Sequence, residues 1–188
     1  MSFSNEWDES YKKNTHLSIW PWSDLVSYVM RYARPENPKN CNVLELGCGA
    51  GANIDFFKWL EVNYYAIEGS PVICKMLQEK FPLFSKNIKV GDFTRKIPFS
   101  NNFDIVVDRA SLTHNDTDSI RNSLSIIHSK MSKGASFIGI DWFSTNHSDF
   151  HRCTNFEDKF TCSNLDVGQF EGVGKVHFSN KEHILDLF

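Results

Sequence analysis

The chain has 188 residues, 41 % of them apolar and 23 % charged, with a net charge of −3. That supports one domain with its own core and excludes a disordered or low-complexity chain. There is no basic excess for a polyanion, no apolar run approaching a membrane span, and no leader-like segment in Met-Ser-Phe-Ser-Asn-Glu-Trp. A cytoplasmic protein with no nucleic-acid or membrane partner is expected.

Sixteen Phe and five Trp demand large buried aromatic surfaces. The five cysteines form no C-x-x-C pair, and their odd number fits reduced thiols. The seven histidines show no H-E-x-x-H spacing, so no metal site is expected.

In chain order, residues 1–22 are aromatic and polar, with Trp7, Tyr11, Trp20 and Trp22. Ser23 or Asp24 is expected to cap a helix carrying Leu25, Val26, Val29 and Met30. That helix stops before Pro35 and Pro38. A strand is predicted over 42–46, a helix over 51–60 and a second strand over 63–67. Ser70-Pro71 opens a helix that ends near Phe81-Pro82. Ile88–Val90 reads as a third strand and Phe103–Val107 as a fourth, of the fully buried parallel type. Asn115 to Thr117 cap a helix through Met131 that Gly134 ends, and Ala135–Ile140 is a fifth strand. Strands alternating with helices imply a parallel sheet covered on both faces. Residues 144–172 read as polar and irregular, followed by the strand-like Lys175–Phe178 and a helix-like stretch to Phe188.

The densest signal lies between the first strand and its helix. Gly47, Gly49 and Gly51 alternate there, directly after Glu45. Glycine allows the main chain to turn sharply and to approach a ligand, and the helix start behind it offers N–H donors. The run also satisfies the degenerate dinucleotide pattern. A carboxylate at Glu45, however, would face a pyrophosphate with like charge and suits an ammonium or sulfonium instead. Glu68 ends the second strand 21 positions after Gly47, where an acid can accept from ribose hydroxyls.

Glu45-Leu-Gly-Cys-Gly-Ala-Gly51 resembles the first motif of the class I S-adenosylmethionine (SAM) methyltransferases. Glu68, the segment Gly91-Asp92-Phe-Thr-Arg-Lys-Ile-Pro98-Phe99 and the segment Phe103-Asp-Ile-Val-Val-Asp108-Arg-Ala-Ser-Leu-Thr-His114 follow in that family's order. The last two are similar to motifs of its small-molecule branch. The resemblance implies an α/β fold: a Rossmann-like, doubly wound, mostly parallel sheet in three α/β/α layers. The N-terminal lid would span 1–38, the cofactor-binding core 39–143 and the substrate-side part 144–188. It implies SAM as cofactor, S-adenosylhomocysteine as product, a small or medium-sized methyl acceptor, and a monomer or homodimer. Glu45 would lie near the methionine amino group, over a turn of Gly47, Cys48, Gly49 and Gly51. Glu68 and Gly69 would meet the ribose, Asp92 and Phe93 the adenine, and Asp108 the methionine end. Tyr11, with Trp7, would cover the cofactor. Candidate general bases are His114 first, then Asp141 and His147.

Family members usually have seven strands, the last two forming a hairpin against strand five. Here the chain is expected to lack strands six and seven through truncation; a partner chain over that edge, or a tail folding back, are the alternatives. Two further readings stay open: an NAD-type oxidoreductase and a non-catalytic SAM-binding protein.

Overall fold

The structure, a computed structural model, describes residues 18–188. Trp7 and Tyr11 lie outside the described residues. Helix α1 (Ser23–Tyr32) buries Leu25 and Val29, the residues its spacing marks as core-facing. Its N-cap is Trp22 with no side-chain cap, so neither Ser23 nor Asp24 caps it as expected. Asp24 sits in the first turn, where its carboxylate accepts from the Leu25 N–H.

Strands β1 (Asn42–Leu46), β2 (Asn63–Glu68), β3 (Ile88–Val90), β4 (Phe103–Arg109) and β5 (Met131–Ile140) form one parallel sheet in the order β3-β2-β1-β4-β5. Alternation along β1 sends Val43 and Glu45 to one face, and Leu44 and Leu46 to the other. The first face carries α1, α2 (Ile54–Trp59) and α3 (Pro71–Lys80), through Leu25, Val29, Ile54, Phe57, Ile73 and Leu77. The second carries α4 (Thr117–Lys130) through Ile127, packed with Leu44, Leu46, Phe99, Phe103 and Val106. This is the expected three-layer, doubly wound arrangement.

Two helix boundaries differ from expectation, and β4 and β5 run longer than predicted, to Arg109 and from Met131. Helix α2 is shorter than 51–60 because the glycine turn keeps the chain non-helical to Asn53, with Gly51 N–H donating to Cys48 O. Gly134 does not end α4. The helix stops at Lys130, and Gly134 lies inside β5 at φ +81°. There the pairing with β4 slips: Phe103 faces Met131, but Ile105 faces Ser136. A residue in that conformation bulges a strand rather than closing a helix.

The tail folds back into a small sheet. Strands β6 (Phe143–Ser144), β8 (Lys175–Ser179) and β7 (Thr161–Ser163) lie in that order, β8 parallel to β6 and antiparallel to β7. Residues 144–172 are therefore not merely irregular. Widely spaced aromatics build a separate core of Phe143, Phe150, Phe170 and Phe178, with Cys162, Leu165 and Val176. Helix α5 (Ser148–Arg152) belongs to this unit. Helix α6 (Lys181–Leu187) returns the chain so that Phe188 meets Phe137 of β5 and Trp142. The expectation of reduced thiols is corrected here. The loop before β7 doubles back, bringing Cys153 and Cys162 to a Cα–Cα distance of 6.0 Å as a disulfide. Cys41, Cys48 and Cys74 are free and buried.

Candidate active site

In an open parallel sheet, ligands bind in the crevice outside the strand carboxyl ends, where the strand order reverses. Here that place is between β1 and β4. The glycine turn leaves β1 with φ +59° at Gly47, +50° at Gly49 and +79° at Gly51. At Gly47 the turn is also tight: an added Cβ would stand 2.5 Å from the Ser111 Cβ. Cys48 inside the turn is buried, and desolvation pushes its thiol well above the ordinary range, so it is a small filler with little thiolate character.

Glu68, at the end of β2, is nearly fully buried and braces this turn. It accepts from the Gly49 N–H and the Ser70 N–H, each at 2.9 Å, with Gly69 half-buried between. Past β3, the Asp92 carboxylate accepts from the N–H and hydroxyl of Thr94, with Arg95 nearby at 3.5 Å. Phe93 packs against the β4-side core.

Asp108 is fully buried near the end of β4. Its Oδ1 accepts from the Leu112 N–H at 3.0 Å and the Ser111 N–H at 3.2 Å, and meets the Ser111 hydroxyl. Its Oδ2 is buried without a hydrogen-bond partner. Desolvation dominates and raises this carboxyl to about 6, against the opposing pull of the Ser111 and Leu112 hydrogen bonds. The Trp142 N–H does not reach hydrogen-bond geometry.

Glu45 belongs to the layer beneath. Its oxygens accept from Tyr64 OH at 2.5 Å and from the Asn53 amide at 2.7 Å. Burial raises its pKa to about 7 despite these bonds. The Asn53 oxygen in turn accepts from the Trp22 N–H at 3.1 Å, tying the N-terminal segment to the turn. Glu68, Asp92 and Asp108 thus stand at or near the carboxyl ends of β2, β3 and β4, while Glu45 is engaged inward.

His114 lies in the short 3₁₀ turn after β4, half-buried. Its Nδ1 is 2.8 Å from the Lys175 carbonyl. A carbonyl can only accept, so Nδ1 carries a proton and donates it there. Lys175 itself pairs with Asp116 and Glu157, so the tail sheet fixes the turn that carries His114. Asp141, at φ +59° just past β5, is paired to Arg109 at 2.6 Å. His147 caps α5 by accepting from the Asp149 N–H, and it packs on Phe170, so it serves the tail core.

Sequence reasoning missed several supporting residues. Ser111, Asn53 and Arg109 lie inside or beside the motifs and were legible as polar neighbours. Tyr64 faces Glu45 only through the sheet register, and Lys175 reaches His114 from 61 positions away with no local signal. Among the described residues no group of three or more His, Cys, Asp or Glu is placed to hold a metal ion, and no helix is long and apolar enough to cross a membrane.

Residues 43–134 match the family model described as a methyltransferase domain. No curated protein matches the chain. Among solved structures, a SAM-dependent methyltransferase from Clostridium acetobutylicum ATCC 824 is 15 % identical, with 97 % of this chain and 85 % of that chain covered at a TM-score of 0.66. A Rhodobacter sphaeroides structure provisionally named for Zn-dependent alcohol dehydrogenases is 14 % identical, with 98 % and 86 % covered at 0.67. The glycopeptide N-methyltransferase MtfA, solved with SAM, is 19 % identical, with 61 % and 48 % covered at 0.50. The chain therefore spans about half the length of MtfA. At these identities the likenesses show the fold, and the family model adds the domain: residues 43–134 carry a methyltransferase domain on the class I SAM-dependent methyltransferase fold.

Proposed function

We propose that the chain binds SAM in the β1–β4 crevice and transfers its methyl group to a small or medium-sized acceptor. The observation that carries this reading is the chemistry of the crevice: Glu68, Asp92 and Asp108 place carboxylates near the ends of β2, β3 and β4, and the buried Oδ2 of Asp108 has no hydrogen-bond partner. Such a row suits a donor-rich ligand with ribose hydroxyls, an adenine amino group and an ammonium. It would repel the pyrophosphate of a dinucleotide. The orphaned Asp108 oxygen is the kind of buried acceptor that a ligand N–H satisfies.

Glu68 accepts from the ribose hydroxyls and keeps the glycine turn in place. Asp92 accepts from the adenine amino group beside Phe93. Asp108 takes the ammonium, whose charge favours the ionised carboxylate and draws its raised pKa back down. SAM supplies a methyl already activated by positive sulfur. What remains for the chain is alignment and proton removal, and alignment can contribute about 7–11 kcal/mol. His114, whose Nδ1–H is held by the Lys175 carbonyl, accepts the acceptor's proton, a contribution of about 10²–10⁴-fold. Cytoplasmic location and a monomeric or dimeric state belong to the same proposal.

Asp108→Asn tests the assignment. It keeps the shape and removes the charge, so S-adenosylhomocysteine should bind about tenfold or more weakly, while 5′-methylthioadenosine, which lacks the amino-acid end, binds unchanged. Equal affinity of wild type and variant for S-adenosylhomocysteine would remove Asp108 from the site.

A further inference from the structure

Arg109 is a cation set among the acids of the crevice and plays no part in the mechanism above. It directly follows Asp108 on β4, and alternation turns it to the face that carries α1. Its guanidinium lies over the Trp22 ring, 3.5 Å from the centroid, so one face of the fork is covered. Its Nη2 bonds Asp141 at 2.6 Å, and its Nε is buried without a hydrogen-bond partner. Asp141 reaches this pair from a left-handed backbone at φ +59°, a conformation that costs free energy for a non-glycine residue. A planar fork with a covered face, a spare buried donor and one carboxylate already on it has the form of a bidentate anion site.

We infer that Arg109 anchors an anionic group of a bound ligand, and that Asp141 occupies that place until the ligand displaces it. The fork reaches toward Asp141 and β5, on the opposite side of Asp108 from Glu68 and Asp92, so the ligand is a carboxylate-bearing methyl acceptor. This rests on the methyltransferase reading for the word acceptor. The other source of the same chemistry is the amino-acid carboxylate of the cofactor.

The test uses benzoate as the probe, benzamide as its neutral twin, and the Arg109 Nε–H resonance as the reporter, with and without saturating S-adenosylhomocysteine. Benzoate, and not benzamide, should shift that resonance saturably in both cases. Arg109→Gln should weaken benzoate about tenfold or more, Arg109→Lys less, and the distant exposed Arg34→Gln not at all. Asp141→Asn removes the competing carboxylate in a residue type that tolerates positive φ, so benzoate should bind more tightly, an effect that a merely structural ion pair would not give. If S-adenosylhomocysteine displaces benzoate, and Arg109→Gln weakens S-adenosylhomocysteine but not 5′-methylthioadenosine, the anchor stands with the cofactor as its source. An unmoved Nε–H in wild type overturns the anchor, as does unchanged benzoate affinity in a folded Arg109→Gln. The benzoate arm on the free chain decides Arg109 even if S-adenosylhomocysteine fails to bind, an outcome that would count against the methyltransferase reading alone.

Discussion

Glu45→Gln should change how stability depends on pH, and the size of the change follows from the structure. Glu45 is buried between Tyr64 and Asn53, and desolvation raises its pKa from 4.5 to about 7. The sign is that of a proton held more tightly by the folded chain. Between the two values the unfolded chain loses this proton and the folded chain keeps it, so stability falls as pH rises through that window. A shift of that size corresponds to about 3 kcal/mol. The substituted glutamine fills the same space, accepts from Asn53 and donates to Tyr64, with no charge to desolvate. Urea unfolding of both proteins from pH 4.5 to pH 8 should show the variant gaining about 3 kcal/mol relative to wild type across that interval. Asp108, shifted in the same direction, is present in both, so the difference reads Glu45 together with its coupling to Asp108 and Glu68. Parallel stability curves would refute the account of Glu45 as a buried carboxyl whose pKa the fold raises.

Two other consequences can be checked on the same samples. Gly47→Ala places a Cβ 2.5 Å from the Ser111 Cβ at a residue with φ +59°, so it should destabilise the fold by about 2 kcal/mol and abolish S-adenosylhomocysteine binding; urea melts and calorimetry read both. Alkylation of the unfolded, unreduced chain should label three cysteines, and Cys153→Ser should destabilise the tail sheet by about 2–3 kcal/mol, seen as earlier proteolysis within residues 144–188.

The central fold was legible because its signals are local. Apolar runs gave β1 and β4, Ser70-Pro71 opened α3 with the expected Ser70 cap, and Asp116 caps α4 inside the Asn115–Thr117 segment. The tail was not legible because its core draws one aromatic from each of several polar stretches, with no period to read. The same holds for the disulfide, which depends on how residues 154–161 loop back rather than on cysteine spacing. The motifs singled out Glu68, Asp92 and Asp108, and the fold puts all three near strand ends. They said nothing of which way Glu45 turns, since that depends on Tyr64 across the sheet register. Nor could they reveal the Lys175 carbonyl that holds the His114 Nδ1–H, because backbone groups carry no sequence signal.

The most direct test of the central claim is calorimetric titration of the chain with S-adenosylhomocysteine, with NADH as the control. The account predicts micromolar binding of S-adenosylhomocysteine and none of NADH. Binding of NADH alone would contradict it, because the acidic strand ends would then be hosting the pyrophosphate they are argued to repel.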